Sequence, residues 1–119
     1  MIELKNKTII VTGGGSGIGR AIAFAAADVG ANVVIAGRTL EKITYVASQI
    51  KKKNVDCLAI QADVTDENSV KMMINRAIER FDRIDVMVSN AGICTVNNAE
   101  SMSLGEWQNT IDINLTGVF

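Results

Sequence analysis

What most limits the fold of this chain is an alternation. Short, uninterrupted runs of β-branched and apolar residues take turns with longer stretches whose apolar residues recur at helical spacing. The runs are Thr8–Val11, Asn32–Ala36 with Val33, Val34 and Ile35 at its centre, Val55–Gln61 and Ile84–Val88. A strand that is apolar on successive residues has both faces covered, as the strands of a parallel sheet do.

The intervening stretches read as helices. Ile18–Val29 is rich in Ala and Ile and stops at Gly30, a helix C-terminal signal. Thr39 can cap the next, whose apolar face runs Leu40, Ile43, Ala47, Ile50. Thr65, Asp66 and Glu67 form an acidic first turn for a helix with Val70, Ile74, Ala77 and Phe81 inward. Ser103 and Glu106 have the spacing of a capping box and open a fourth helix through Trp107, Ile111 and Leu115, which is still running at Phe119. Strand and helix thus alternate four times, which predicts an α/β fold with helices on both faces of a parallel sheet. Right-handed crossovers make the Rossmann-like doubly wound arrangement the leading topology, here as a single domain over 1–119 that stops after the fourth strand and its helix.

Composition removes several function classes. Twelve basic and thirteen acidic residues give a net charge of −1, so no electrostatic footprint marks the chain for nucleic acid or an anionic membrane. There is no histidine, and Cys57 and Cys94 are isolated, which excludes the common zinc constellations and every imidazole-based triad; no metal site is expected. Both thiols read as reduced and mostly buried. No apolar stretch follows Met1 that would serve as a signal-peptide core or a membrane span, so a cytoplasmic location is expected.

The segment richest in chemistry is Thr12-Gly13-Gly14-Gly15-Ser16-Gly17-Ile18-Gly19, set between the first strand and the first helix. Glycine lets backbone approach a ligand closely, and a helix N-terminus offers unpaired N–H groups to a pyrophosphate. A P-loop is excluded because Arg20-Ala21 stands where Lys-Ser/Thr is required, and the pattern G-x-G-x-x-G does not register. The pattern Thr-Gly-x-x-x-Gly-x-Gly does.

With that loop stand three more motifs in order. Asp63-Val64 follows the third strand, Asn90-Ala91-Gly92 follows the fourth, and Asn114-Leu115-Thr116-Gly117 lies in the last helix. Together they resemble the classical short-chain dehydrogenase/reductase family across essentially the whole chain. The resemblance implies a dinucleotide held by Gly13, Gly15, Ser16, Gly17, Ile18 and Gly19. Asp63 would bind the adenine amino group, with Val64 beside the ring. Asn90, Ala91 and Gly92 would support the ribose and the sheet, and Asn114 would be a catalytic asparagine. NADP rather than NAD is the expected cofactor. At the end of the second strand, where an NAD enzyme places an acid for the ribose 2′-hydroxyl, this chain has Gly37 followed by Arg38, a planar cation suited to a 2′-phosphate.

The family's chemistry also needs a serine and a Tyr-x-x-x-Lys pair. The single tyrosine, Tyr45, has Gln49 four residues later and belongs to the second helix, so it reads as a surface packing residue. The resemblance therefore implies an oxidoreductase interconverting a small-molecule carbonyl and secondary alcohol, a homodimer or homotetramer when intact, whose remaining catalytic residues lie beyond Phe119. The 119 residues alone are expected to be inactive and poorly soluble, because Ile84–Val88 and the face bearing Trp107 lack cover. The alternative is a nucleotide-binding module without turnover. A methyltransferase of similar fold explains neither Gly37-Arg38 nor Asn90-Ala91-Gly92.

Overall fold

The alternating β-branched runs become the sheet. A computed structural model describes residues 2–119. The elements follow as β1 (Thr8–Thr12), α1 (Gly17–Asp28), β2 (Asn32–Gly37), α2 (Leu40–Lys51), β3 (Cys57–Gln61), α3 (Glu67–Phe81), β4 (Val86–Val88) and α4 (Leu104–Ile111), which runs into a π-helical turn, Asp112–Thr116. All strands are parallel, in the order β3-β2-β1-β4. The expected α/β, doubly wound nucleotide-fold arrangement is what the chain forms.

Side chains of successive strand residues point to opposite faces, and each face has its own core. Ile9 and Val11 of β1, with Val33 and Ile35 of β2, pack beneath α1 and α2 against Ala23, Ile43 and Ile50. Ile10, Val34 and Ile60 face the other way, onto Met73 and Ala77 of α3. Both central strands are therefore buried on both sides, which is why they read as continuous apolar runs.

Three element boundaries shift for local reasons. The cap of α3 is Asp66, whose carboxylate accepts from Asn68 N (2.9 Å) and Ser69 N (3.4 Å). Thr65 stays outside the helix, bonded instead to Asp63. In β3, pairing begins at Cys57 rather than Val55, and the Asp56 side chain is turned outward to Arg80. β4 is reduced to three residues because Ile84 packs toward the α3 core and Asp85 spends its carboxylate on the Thr8 N–H (2.8 Å) and on Arg83. The inner face of α3 also includes Met73, fully buried, where Val70, Ile74 and Phe81 are only partly covered.

The α4 capping box forms as read: Glu106 N donates to Ser103 Oγ (3.1 Å), and Ser103 N donates to Glu106 Oε2 (2.8 Å). Its apolar residues stay uncovered, however, with Leu104 and Trp107 exposed, and α4 packs mainly on the π-helical turn. The radius of gyration, 15.2 Å, accordingly exceeds the ~13.5 Å of a compact chain of this length. Met87 of the edge strand β4 is exposed as well. The thiols divide, contrary to the expectation that both are buried: Cys57 is enclosed, whereas Cys94 lies exposed in the segment after β4. Among the described residues no helix is long and apolar enough to cross a membrane.

Candidate nucleotide-binding site

In an open parallel sheet, ligands bind beyond the carboxyl ends of the strands where the order reverses direction. Here that point is β1, which has β2 on one side and β4 on the other. The segments leaving β1, β2, β3 and β4 converge there around one cleft, open to solvent, with a cavity volume of about 190 Å³.

The floor of the cleft is the glycine loop. Ser16 occupies the N-cap of α1 in an extended conformation, and its hydroxyl makes no cap bond. The first helical bond runs from Arg20 N to Ser16 O (3.1 Å). The N–H groups of Gly17, Ile18 and Gly19 therefore have no partner inside the helix. Gly17 sits at φ +54 with nothing within 4 Å of where a Cβ would lie, a left-handed position that only glycine adopts freely. Gly19 is fixed by space: its Cβ would fall 2.3 Å from Gly13 O and 2.4 Å from Asn90 Nδ2. The helix thus begins directly against the loop.

Asn90 fastens that loop to β4. Its Nδ2 donates to Thr12 O (3.1 Å) and Gly13 O (3.3 Å), while Thr12 Oγ1 accepts from Asn90 N and Ala91 N, both at 3.0 Å. Asn90 therefore braces the site from behind, and it is Ala91 and Gly92 that reach the cleft.

At the end of β2, Gly37, Arg38, Thr39 and Lys42 form the rim. Gln61 Nε2 donates to Arg38 O (3.0 Å) and holds that backbone, while the Arg38 side chain is exposed and enters no ion pair among the described residues. Opposite stand Asp63 and Val64. Thr65 donates to Asp63 Oδ1 through both its hydroxyl (2.7 Å) and its N–H (2.9 Å). The Thr65 hydroxyl bond, then its backbone bond, hold the Asp63 carboxyl below its ordinary range, so it is an ionised acceptor with Oδ2 left over.

Asn114 lies in the π-helical turn, a form that often marks functional sites. Its Oδ1 accepts from Ile93 N (2.8 Å) and its Nδ2 donates to Ile93 O (2.7 Å). The side-chain amide is thereby committed to the backbone that forms the far wall.

Eight of the residues singled out from sequence line this one cleft: Gly13, Gly15, Ser16, Arg38, Asp63, Val64, Ala91 and Gly92. Gly17, Ile18, Gly19, Asn90 and Asn114 stand just behind or beside it. The sequence reading missed the clamp made by Thr12, although Thr12 is part of the motif, and it missed Lys42. The signal for Lys42 was available: a cation in the first turn of a helix opposes the helix dipole. Tyr45 is exposed on α2 and does not line the cleft.

Comparisons with known proteins agree with this geometry. Residues 7–119 match the family model for short chain dehydrogenases. The chain is 46% identical over 115 residues to 3-oxoacyl-[acyl-carrier-protein] reductase FabG of Staphylococcus aureus, covering 95% of this chain and 46% of that protein. It is 38% identical over 117 residues to an uncharacterized oxidoreductase of Listeria monocytogenes, covering 98% of this chain and 47% of the relative. A short-chain type dehydrogenase/reductase from Mycobacterium marinum superposes with a TM-score of 0.95 at 37% identity, over 98% of this chain and 47% of that one. The chain spans just under half the length of these relatives.

Proposed function

The chain belongs to the short-chain dehydrogenase/reductase family of oxidoreductases, and from that premise we propose that residues 1–119 are its nucleotide-binding domain and that the cleft takes NADP(H) in preference to NAD(H). The observation that carries the preference is the rim at β2: a glycine where an acid would repel a 2′-phosphate, and beside it Arg38, exposed and in no ion pair among the described residues. A guanidinium held in no salt bridge is free to form a forked, charge-assisted pair with a phosphate.

The residues present suit the rest of the nucleotide. The free N–H groups at the start of α1 and the uncrowded backbone at Gly17 suit a diphosphate. Asp63 Oδ2 suits a donor such as an adenine amino group, with Val64 as an apolar wall. Asn90 keeps the loop at its distance from β4, and Ala91 and Gly92 leave room for a ribose. When bound, the nicotinamide nucleotide supplies or takes up the hydride.

The reaction we assign to the whole protein is interconversion of a carbonyl and a secondary alcohol. The printed name of the Staphylococcus relative, a 3-oxoacyl reductase, points to a ketone of this kind. Asn114 acts chiefly as a positioning residue. Its side-chain amide is bonded to the Ile93 N–H and carbonyl, which fixes that wall of the cleft. The exposed face of α4 with Leu104 and Trp107 is where a second subunit would dock, giving a homodimer or homotetramer.

The 119 residues by themselves bind without turnover. Their one tyrosine is Tyr45, on α2 and away from the cleft, and no Tyr-x-x-x-Lys pair exists among them. Titration with NADPH and NADH tests the assignment. NADPH should bind more tightly, and Arg38→Ala should cost roughly tenfold in NADPH affinity, the lower end for a lost charged hydrogen bond at an exposed site. NADH binding as well as NADPH in the unaltered protein would overturn it.

A further inference from the structure

Resting on the nucleotide reading above, we infer that Lys42 is a second specificity-determining residue, which with Arg38 forms a two-cation clamp on the phosphate that distinguishes NADP(H) from NAD(H).

Lys42 lies in the first turn of α2, one turn beyond Arg38, and both side chains line the same cleft. Neither takes part in the ion pairs among the described residues, which engage Lys7, Lys53, Lys71, Arg80 and Arg83. A cation in the first turn of a helix opposes its dipole, although Glu41 in the same turn favours it. Asp63 is the one acid lining the cleft; it is bonded to Thr65 and feels the charge of Arg38. The rim thus carries two cations against the single carboxylate of Asp63, and a phosphate dianion would meet both of them.

The stem of Lys42 is anchored against the glycine loop: a Cβ on Gly15 would lie 3.2 Å from Lys42 Cβ. Arg38 supplies a planar fork and Lys42 a mobile point charge, two complementary ways of meeting one phosphate.

The test uses NADPH and NADH, with adenosine 2′,5′-bisphosphate and AMP isolating the extra phosphate. Titrations of the unaltered protein are compared with Lys42→Met and Lys42→Arg. Lys42 is exposed, so both variants should fold, which far-UV circular dichroism checks. In Lys42→Met, NADPH and the bisphosphate should weaken about fivefold, or about 1 kcal/mol, while NADH and AMP change less than about twofold. The salt dependence of NADPH binding should become shallower, and Lys42→Arg should retain the preference.

If the unaltered protein prefers NADPH but Lys42→Met leaves the NADPH-to-NADH ratio intact, the Lys42 role is overturned while the cofactor assignment stands. Equal weakening of both dinucleotides would place Lys42 on the shared diphosphate and also overturn it. An unaltered protein with no preference would overturn the cofactor assignment itself.

Discussion

Replacing Gly19 by alanine adds one methyl group where the start of α1 meets the loop. That Cβ would lie 2.3 Å from Gly13 O and 2.4 Å from Asn90 Nδ2, against a practical limit of 3.0 Å, so the carbonyl must retreat by at least 0.7 Å. Neither neighbour yields readily, since Gly13 O is backbone and Asn90 Nδ2 is itself bonded to Thr12 O and Gly13 O. Alanine gains about 1 kcal/mol of helix propensity. Overpacking costs about 1–3 kcal/mol, and each Asn90 bond broken costs about 0.5–1.5 kcal/mol. The overpacking and broken bonds win, for a net loss of about 1–3 kcal/mol, or several degrees in Tm. Urea titration should show a lower midpoint at unchanged slope, and NADPH affinity should fall with it. Gly105→Ala is the control: its Cβ meets nothing nearer than Ser103 Oγ at 3.8 Å, so it should be neutral or stabilising. A Gly19→Ala protein as stable as the parent would refute the close approach of helix and loop.

Two further outcomes follow from the same side-chain chemistry. Burial pushes the Cys57 thiol up to about 12, whereas Cys94 is exposed, so a thiol reagent at neutral pH should modify one cysteine quickly and the second only on unfolding. Peptide mapping that finds Cys57 labelled first would contradict this. The Arg83 guanidinium, then the Thr8 N–H, lower the Asp85 carboxyl to about 2. A depressed carboxylate stabilises the fold above its unfolded pKa of about 3.9 and loses that contribution as pH falls through about 2. Urea midpoints should therefore drop more steeply between about pH 4 and pH 2 in the parent than in Asp85→Asn, and parallel curves would show that Asp85 does not carry the effect.

The sheet was legible because Val33, Val34 and Ile35 are buried on consecutive residues, a pattern that a helix of this length or a half-exposed strand does not need. The cleft was legible because its glycines, Asp63 and Ala91-Gly92 all fall at strand ends, where a doubly wound fold gathers its loops. Ends of elements were not, because they turn on single competing bonds. Asp66 caps the helix and Thr65 stays outside its first turn because Thr65 is drawn to Asp63. Cys94 escaped because burial depends on what packs over the segment after β4, and local sequence does not encode that. The grip of Asn114 on Ile93 spans 21 positions and a π-helical turn, neither of which periodicity reports.

The central claim is that the glycine loop and the β2 rim together hold a phosphorylated dinucleotide. Hydrogen exchange read by mass spectrometry, with and without NADP⁺, tests it most directly. Protection should rise in residues 13–20, 36–42 and 90–93, while the outer turns of α3 within 67–81 exchange as before. Unchanged exchange in 13–20 at saturating NADP⁺, or protection confined to α3 and the chain's last helix, would contradict it.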